Sequence, residues 1–208
     1  FFVREARAVV DGPLFVVRLG TCGGVGLAPG TVVANTPGSY AIFRHPDAWL
    51  PGDGVREQPY VLTETVAPAV GLARAVGDAL RRQEGLTVAE GLNASTDSFY
   101  SSQGRLLQCR NQIVYYVEIC LGVDPNFEDK NHDWLRTLLM PNTASVEMES
   151  FTLLHLASCA ARSPIHAATA AIVCADRVSG AVVDAHDLKA IERAAGLAVL
   201  EALAAAPH

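Results

Sequence analysis

The sequence predicts an α/β domain, a largely parallel sheet with helices on both faces, and three observations carry that expectation. Short apolar runs rich in Val, Ile and Ala alternate along the chain with segments of helical periodicity, the order from which parallel sheets are built. With 208 residues, 50% of them hydrophobic, and a mean hydropathy of +0.22, the chain is the size of one domain and can fill its core. Its polar clusters fall where the apolar runs end, and the carboxyl ends of strands are where open α/β sheets bind ligands.

The chain opens without a methionine, directly in a helical pattern with Phe2, Ala6, Val9 and Val10 on one face, so further sequence is expected ahead of it. Asp11, Gly12 and Pro13 make a turn. Residues 14–26 then form an apolar run that breaks into glycines at 20, 23, 24 and 26, read as a buried strand and a glycine-rich turn. Arg18 and Thr21 stand at the strand end, a fixed cation and a hydroxyl donor that suit a phosphate oxygen beside backbone N–H groups. A tight turn next to a surface arginine fits the same stretch.

Residues 30–35 read as a short strand and 37–59, rich in Gly, Pro and Asp, as a loop. The clearest helix covers 67–84, with Val70, Ala73, Val76 and Leu80 on one stripe, Arg74, Asp78, Arg81 and Arg82 turned outward, and Gly85 stopping it. Residues 87–95 read as a strand ending in a polar cluster at 93–98, which leads to Phe99, Gln103 and Arg105. Beyond it, 113–121 is β-like, 124–132 acidic, and 133–140 helical. A helical pattern runs from 145 to about 160, an apolar strand from 165 to 175 ends at Asp176 and Arg177, and an Ala/Leu-rich helix covers 186–205.

A formal net charge of -6 with 16 Lys and Arg argues against a nucleic-acid surface, which needs a basic patch. No stretch is long and apolar enough to span a bilayer as a helix. The five cysteines, odd in number and widely spaced, fit reduced thiols in a cytoplasmic protein. No metal or cofactor is expected: Glu128, Asp129, His132 and Asp133 read as a solvated charge run, and His155, among leucines, as a satisfied core residue.

Four strand-end segments, 18–24, 99–105, 146–150 and 174–177, together and in this order resemble the uridine phosphorylases of the nucleoside phosphorylase-I superfamily. The Gln103-x-Arg105 pair after Phe99 is that family's pyrimidine-type signature, and Glu147-Met148-Glu149 its ribose-binding segment. The resemblance implies a three-layer phosphorylase-type fold with a mixed, largely parallel twisted sheet. It implies phosphate at Arg18 and Thr21, and uracil held by Gln103 and Arg105. Phe99 would lie against the base, Cys22 and Gly23 at its floor, and Arg177 behind it. Met148 and Glu149 would hold the ribose, with Glu147 close by.

The implied reaction is reversible phosphorolysis of uridine to uracil and ribose 1-phosphate, with inorganic phosphate as co-substrate, in a homodimer whose active site is shared. Such cleavage builds positive charge on the sugar and negative charge on the departing base, which an arginine and an amide donor at the uracil oxygens would stabilise. Each residue also has a structural reading: Glu147 and Glu149 as carboxylates at a helix start, Gln103 and Arg105 as loop surface, Cys22 as a packed thiol.

Three features depart from the family. Its first strands, with a phosphate-binding arginine, fall ahead of residue 1, so the expectation is an N-terminally incomplete domain. Residues 106–123 have the character of an insertion. Asp176 stands where pyrimidine-type relatives more often carry Asn, and purine-type relatives use an Asp nearby to protonate the base. A nucleoside hydrolase, a purine-type phosphorylase and a non-catalytic relative are therefore the alternatives.

Overall fold

The longest apolar run in the chain becomes the axis of the sheet. In the computed structural model, which describes residues 2–45, 60–99, 103 and 139–206, strand β1 (Leu14–Gly24) lies parallel to β8 (Ile165–Asp176) from Leu14 opposite Ile165 to Gly24 opposite Asp176. The register shifts between Cys22 and Gly23, a bulge that bends the strand end. Both strands alternate, so each has two faces to cover. Phe15, Val17 and Leu19 of β1 and Ala168, Ala170 and Ile172 of β8 pack against helices α2 (Val70–Arg82) and α4 (Ala185–Ala204). Val16 and Ala167, pointing the other way, meet α3 (Ser150–Ser158) and Val3 of α1 (Phe2–Val9). This is the three-layer arrangement that the alternation of elements predicts.

The other strands are β2 (Val32–Ala34), β3 (Ser39–Arg44), β4 (Tyr60–Leu62), β5 (Val88–Glu90), β6 (Leu92–Thr96) and β7 (Thr143–Glu147). Among the described residues they form one eight-stranded sheet in the order β4-β3-β6-β7-β1-β8-β2-β5. Pairs β1/β8, β2/β5, β3/β6 and β6/β7 are parallel, while β1/β7, β2/β8 and β3/β4 are antiparallel, so the sheet is mixed.

Several elements differ from the sequence expectation. The glycines of β1 do not break the strand, which continues to Gly24 before Val25 and Gly26 turn. The loop expected at 37–59 holds β3, whose Ser39, Tyr40, Ala41 and Ile42 are buried. The start of the expected 145–160 helix is β7, because Thr143, Ser145 and Glu147 recur every second residue as buried polar groups, Thr143 bonded to Tyr40 and Met140, Ser145 and Glu147 both bonded to Asn93. On α1, Phe2 and Val9 are exposed and Val3 faces the sheet; on α2, Val70 is exposed and the buried stripe starts at Leu72. The β-like run at 113–121, the acidic stretch, most of the 133–140 helix and the insertion at 106–123 lie outside the described residues. No helix among the described residues is long and apolar enough to cross a membrane.

The single strand expected at 87–95 is two, and the split shapes the sheet. Gly91 separates β5, at one edge, from β6, the third strand counted from the other edge, so the sheet curls to bring together positions that a single residue joins along the chain. A Cβ on Gly91 would stand 2.3 Å from Ala144 Cβ and 3.0 Å from the Asn142 carbonyl oxygen, so only glycine lets the chain cross there. Gly91→Ala is expected to cost about 1–3 kcal/mol of stability, seen as a lower melting temperature. Gly196→Ala, in α4 where a methyl group meets no other atom within 4 Å, is expected to raise stability by about 0.5–1 kcal/mol through reduced backbone freedom. A Gly91→Ala melting curve that matches the parent would contradict this account of the curl.

Candidate active site

Where the ends of β1, β6, β7 and β8 meet, the curl leaves a cleft of about 650 Å³. Arg18, Gly20 and Cys22 lie on the β1 face that looks toward α3, two residues apart. The Arg18 guanidinium folds back along its own strand and lies on Gly20: a Cβ there would sit 2.6 Å from Nη1. Glycine at that position gives the arginine a flat seat.

The carboxylate of Glu147 fixes Arg18 from below. Its side chain is 2% exposed, and Arg18 Nη1 donates to Oε2 at 3.0 Å. Asn93 Nδ2 donates to Oε1 at 2.6 Å, Ser95 Oγ to Oε1 at 2.5 Å, and the backbone N–H groups of Glu149 and Ser150 to Oε2 at 2.9 and 3.0 Å. The last two are open donors at the start of α3, so Glu147 also caps that helix. Burial raises the affinity of this carboxyl for a proton, yet Arg18 and the donated hydrogen bonds outweigh it and hold the group below its ordinary range. Glu149 differs: its side chain is 62% exposed and its one described partner is Arg18 Nη2.

At the other end of the cleft the Arg177 guanidinium lies on Gly23, where a Cβ would fall 2.3 Å from Nε. Arg177 Nη2 donates to Gln103 Oε1 at 3.0 Å, and burial lowers the arginine's proton affinity. Gln103 is buried, Phe99 is partly exposed, and both line the cleft. Cys22 is buried at its floor, and burial, with Cys174 and Glu147 nearby, pushes its thiol far above the ordinary range, so it stays protonated.

The structure thus brings Arg18, Thr21, Cys22 and Gly23 to one cleft with Phe99 and Gln103, and Glu147, Met148, Glu149 and Arg177 line it as well. Arg105 lies outside the described residues, as do Glu128, Asp129, His132 and Asp133. Asp176 is not in the lining. Its carboxylate accepts from the backbone N–H groups of Gly26 at 2.8 Å, Val178 at 3.2 Å and Ser179 at 2.9 Å, and from Ser179 Oγ at 2.6 Å, which hold it below its ordinary range despite burial. Glu147 has its oxygens filled by protein donors. His155 is exposed on α3, stacked on Phe151, and is not the core residue expected. The sequence reading missed Gly20, Asn93 and Ser95; the last two alternate on β6 as polar residues in a strand that should be apolar, and that was their signal.

The phosphorylase superfamily model matches residues 2–204. No curated protein matches the chain. A structure from a study of two uridine phosphorylases of the oomycete Phytophthora capsici is 36% identical, with a TM-score of 0.82, over 100% of this chain and 71% of its own. A Trypanosoma brucei nucleoside phosphorylase, described as showing uridine phosphorylase activity, aligns at 18% identity and TM-score 0.58, over 92% of this chain and 64% of its own. Schistosoma mansoni uridine phosphorylase in complex with 5-fluorouracil aligns at 15% identity and TM-score 0.64, over 98% and 64%. These last two share the fold; the match from residue 2 to residue 204 and the 36% identity over the full length establish that the chain belongs to the phosphorylase superfamily.

Proposed function

We propose that this chain catalyses the reversible phosphorolysis of uridine to uracil and ribose 1-phosphate. The observation that carries the reading is the 36% identity, across the entire chain, to a structure from work on uridine phosphorylases. The cleft supports it with a cation and hydroxyl at one end and an arginine-anchored amide at the other.

In this reaction a phosphate oxygen bonds to ribose C1′ while the bond from C1′ to uracil N1 breaks, and its electron pair leaves on the base. Arg18 and Thr21 hold the phosphate, which is already an anion and needs no general base. Glu149 is free to leave Arg18 and accept from two ribose hydroxyls, which fixes the sugar. At the base, Gln103 Oε1 is occupied by Arg177, so its amide hydrogens are left for a uracil oxygen as negative charge develops there. Arg105 joins Gln103 by the resemblance alone. Met148 and Phe99 supply apolar walls.

Asp176 favours the pyrimidine reading over the purine one. A residue that protonates a base needs a raised pKa, and this carboxylate is held low and spent on its own turn. The cytoplasmic location rests on the free thiols of Cys22 and Cys159. The homodimer with a shared site is supported by charge: Arg18, the described cation at the phosphate end of the cleft, is paired with both Glu147 and Glu149, so a phosphate dianion gains from a further donor.

Uridine cleavage followed by ultraviolet absorbance is expected to require phosphate. Base release without phosphate would indicate a hydrolase, turnover of inosine rather than uridine a purine-type enzyme, and no release from any nucleoside a non-catalytic relative; each would overturn the proposal. Arg18→Ala should lower kcat/KM for phosphate by about 10²-fold, the usual loss for a donor that meets developing or transferred charge. Glu149→Gln should raise KM for uridine about tenfold without raising KM for phosphate, because the carboxylate competes with phosphate for Arg18.

A further inference from the structure

Asn93 is fully buried and does not line the cleft, yet it ends a chain of hydrogen bonds aimed at the site. Thr169 on β8 donates to Asn35 Oδ1 at 3.2 Å, Asn35 Nδ2 to Ser145 Oγ at 3.0 Å, Ser145 Oγ to Asn93 Oδ1 at 2.8 Å, and Asn93 Nδ2 to Glu147 Oε1 at 2.6 Å. Every link donates in the same direction, and the last acceptor is the carboxylate under Arg18. Such a chain is polarised by the charge at its end, and each bond strengthens the next. Its direction is fixed as well: an ionised carboxylate only accepts, so the Asn93 amide must turn its nitrogen to Glu147 and its oxygen to Ser145.

We infer that Asn93 is a positioning residue for Arg18, acting through Glu147. It holds Oε1 in place, which leaves Oε2 aimed at Arg18 Nη1 and keeps the guanidinium flat on Gly20 with its outer edge toward the cleft. Asn93 touches no substrate atom in this arrangement. The kinetic part of this inference rests on the proposed phosphorolysis, whereas the placement of Arg18 does not. Among the described residues the ionisable groups around Glu147 are Arg18 and Cys22 from β1 and Glu149 from the junction before α3, so a change at Asn93 acts on a small charged set.

The test uses Asn93→Asp in the full chain. Two carboxylates at hydrogen-bond distance share one proton, so the pair should take that proton up at a pH well above the range of a carboxylate held as Glu147 is. Below that pH the proton lies on the carboxyl introduced at position 93, which donates to Glu147 Oε1 as Asn93 does; above it both carboxylates are charged, position 93 donates nothing, and the variant should lose its hold on Arg18. Nitrogen-15 NMR of the Arg18 guanidinium should show restrained, pH-independent signals in the parent and signals that average as the pH is raised in N93D. Over the same rise in pH KM for phosphate should increase about tenfold in N93D alone, with kcat changing less. Asn93→Ser, too short to reach Glu147, should raise KM for phosphate about tenfold at every pH and decides the matter if N93D does not fold. Arg18 signals that match the parent in the folded variant, at every pH, would overturn the inference. Should the parent leave uridine intact, the guanidinium signals still answer, and only the phosphorolysis reading falls.

Discussion

The arrangement depends on one buried charge. Taking a carboxylate such as that of Glu147 out of water costs several kcal/mol, and the cost is offset only when every oxygen lone pair finds a donor. Those donors come from three directions: Arg18 from β1, Asn93 and Ser95 from β6, and the first N–H groups of α3. Each partner is thereby tied to the others. Strand β6 must lie beside β7 in parallel, α3 must start within three residues of Glu147, and β1 must run on the far side of β7 with its arginine turned inward. A single side chain therefore sets the relative position of two strands and a helix at the point where the cleft opens.

Two arginines then shape the cleft by lying on backbone instead of on side chains. Arg18 covers Gly20 and Arg177 covers Gly23, and at either glycine a Cβ would come within 2.6 Å of a guanidinium atom. Planar cations on bare peptide lose less conformational freedom than cations reaching into open space, because strand and seat are already rigid. The glycines of β1 thus serve the strand as platforms, which is why the strand continues through them where a turn was expected. The bulge after Cys22 supplies the change of direction that the glycines do not.

What the sequence conveyed depended on whether a signal was local. Periodicity located α2, α4 and β8 because their buried faces recur at helical or strand spacing, and the four polar segments marked the cleft because they follow strand ends. It failed where a polar residue is buried by partners far along the chain. Ser145 and Glu147 in β7 look like a helix start until Asn93, some fifty residues away, is seen to receive and satisfy them. Gly91 reads as one glycine in a strand, since the near-collision with Ala144 that gives it meaning is a tertiary fact. His155 looks like a core residue from its leucine neighbours, but the helix turns those leucines inward and the ring outward. Asp176 suggested an acid by analogy; the turn that consumes its carboxylate is local, and Ser179 was its visible sign.

The same geometry decides which carboxylate yields to an arriving anion. Arg18 pairs with both Glu147 and Glu149, and a phosphate can reach the guanidinium only if one of them lets go. The Glu147 side chain is 2% exposed and bound by several donors, so releasing it would strand a buried charge; the Glu149 side chain is 62% exposed, and water replaces its partner at little cost. An exposed ion pair is worth about 0–1 kcal/mol, less than the two parallel charge-assisted bonds a guanidinium makes with a phosphate. Exchange at the Glu149 side is therefore downhill and at the Glu147 side uphill. In the proposed reaction the displaced carboxylate is the one the ribose needs, so occupancy of the phosphate end prepares the sugar end, and the buried network beneath Arg18 stays intact throughout.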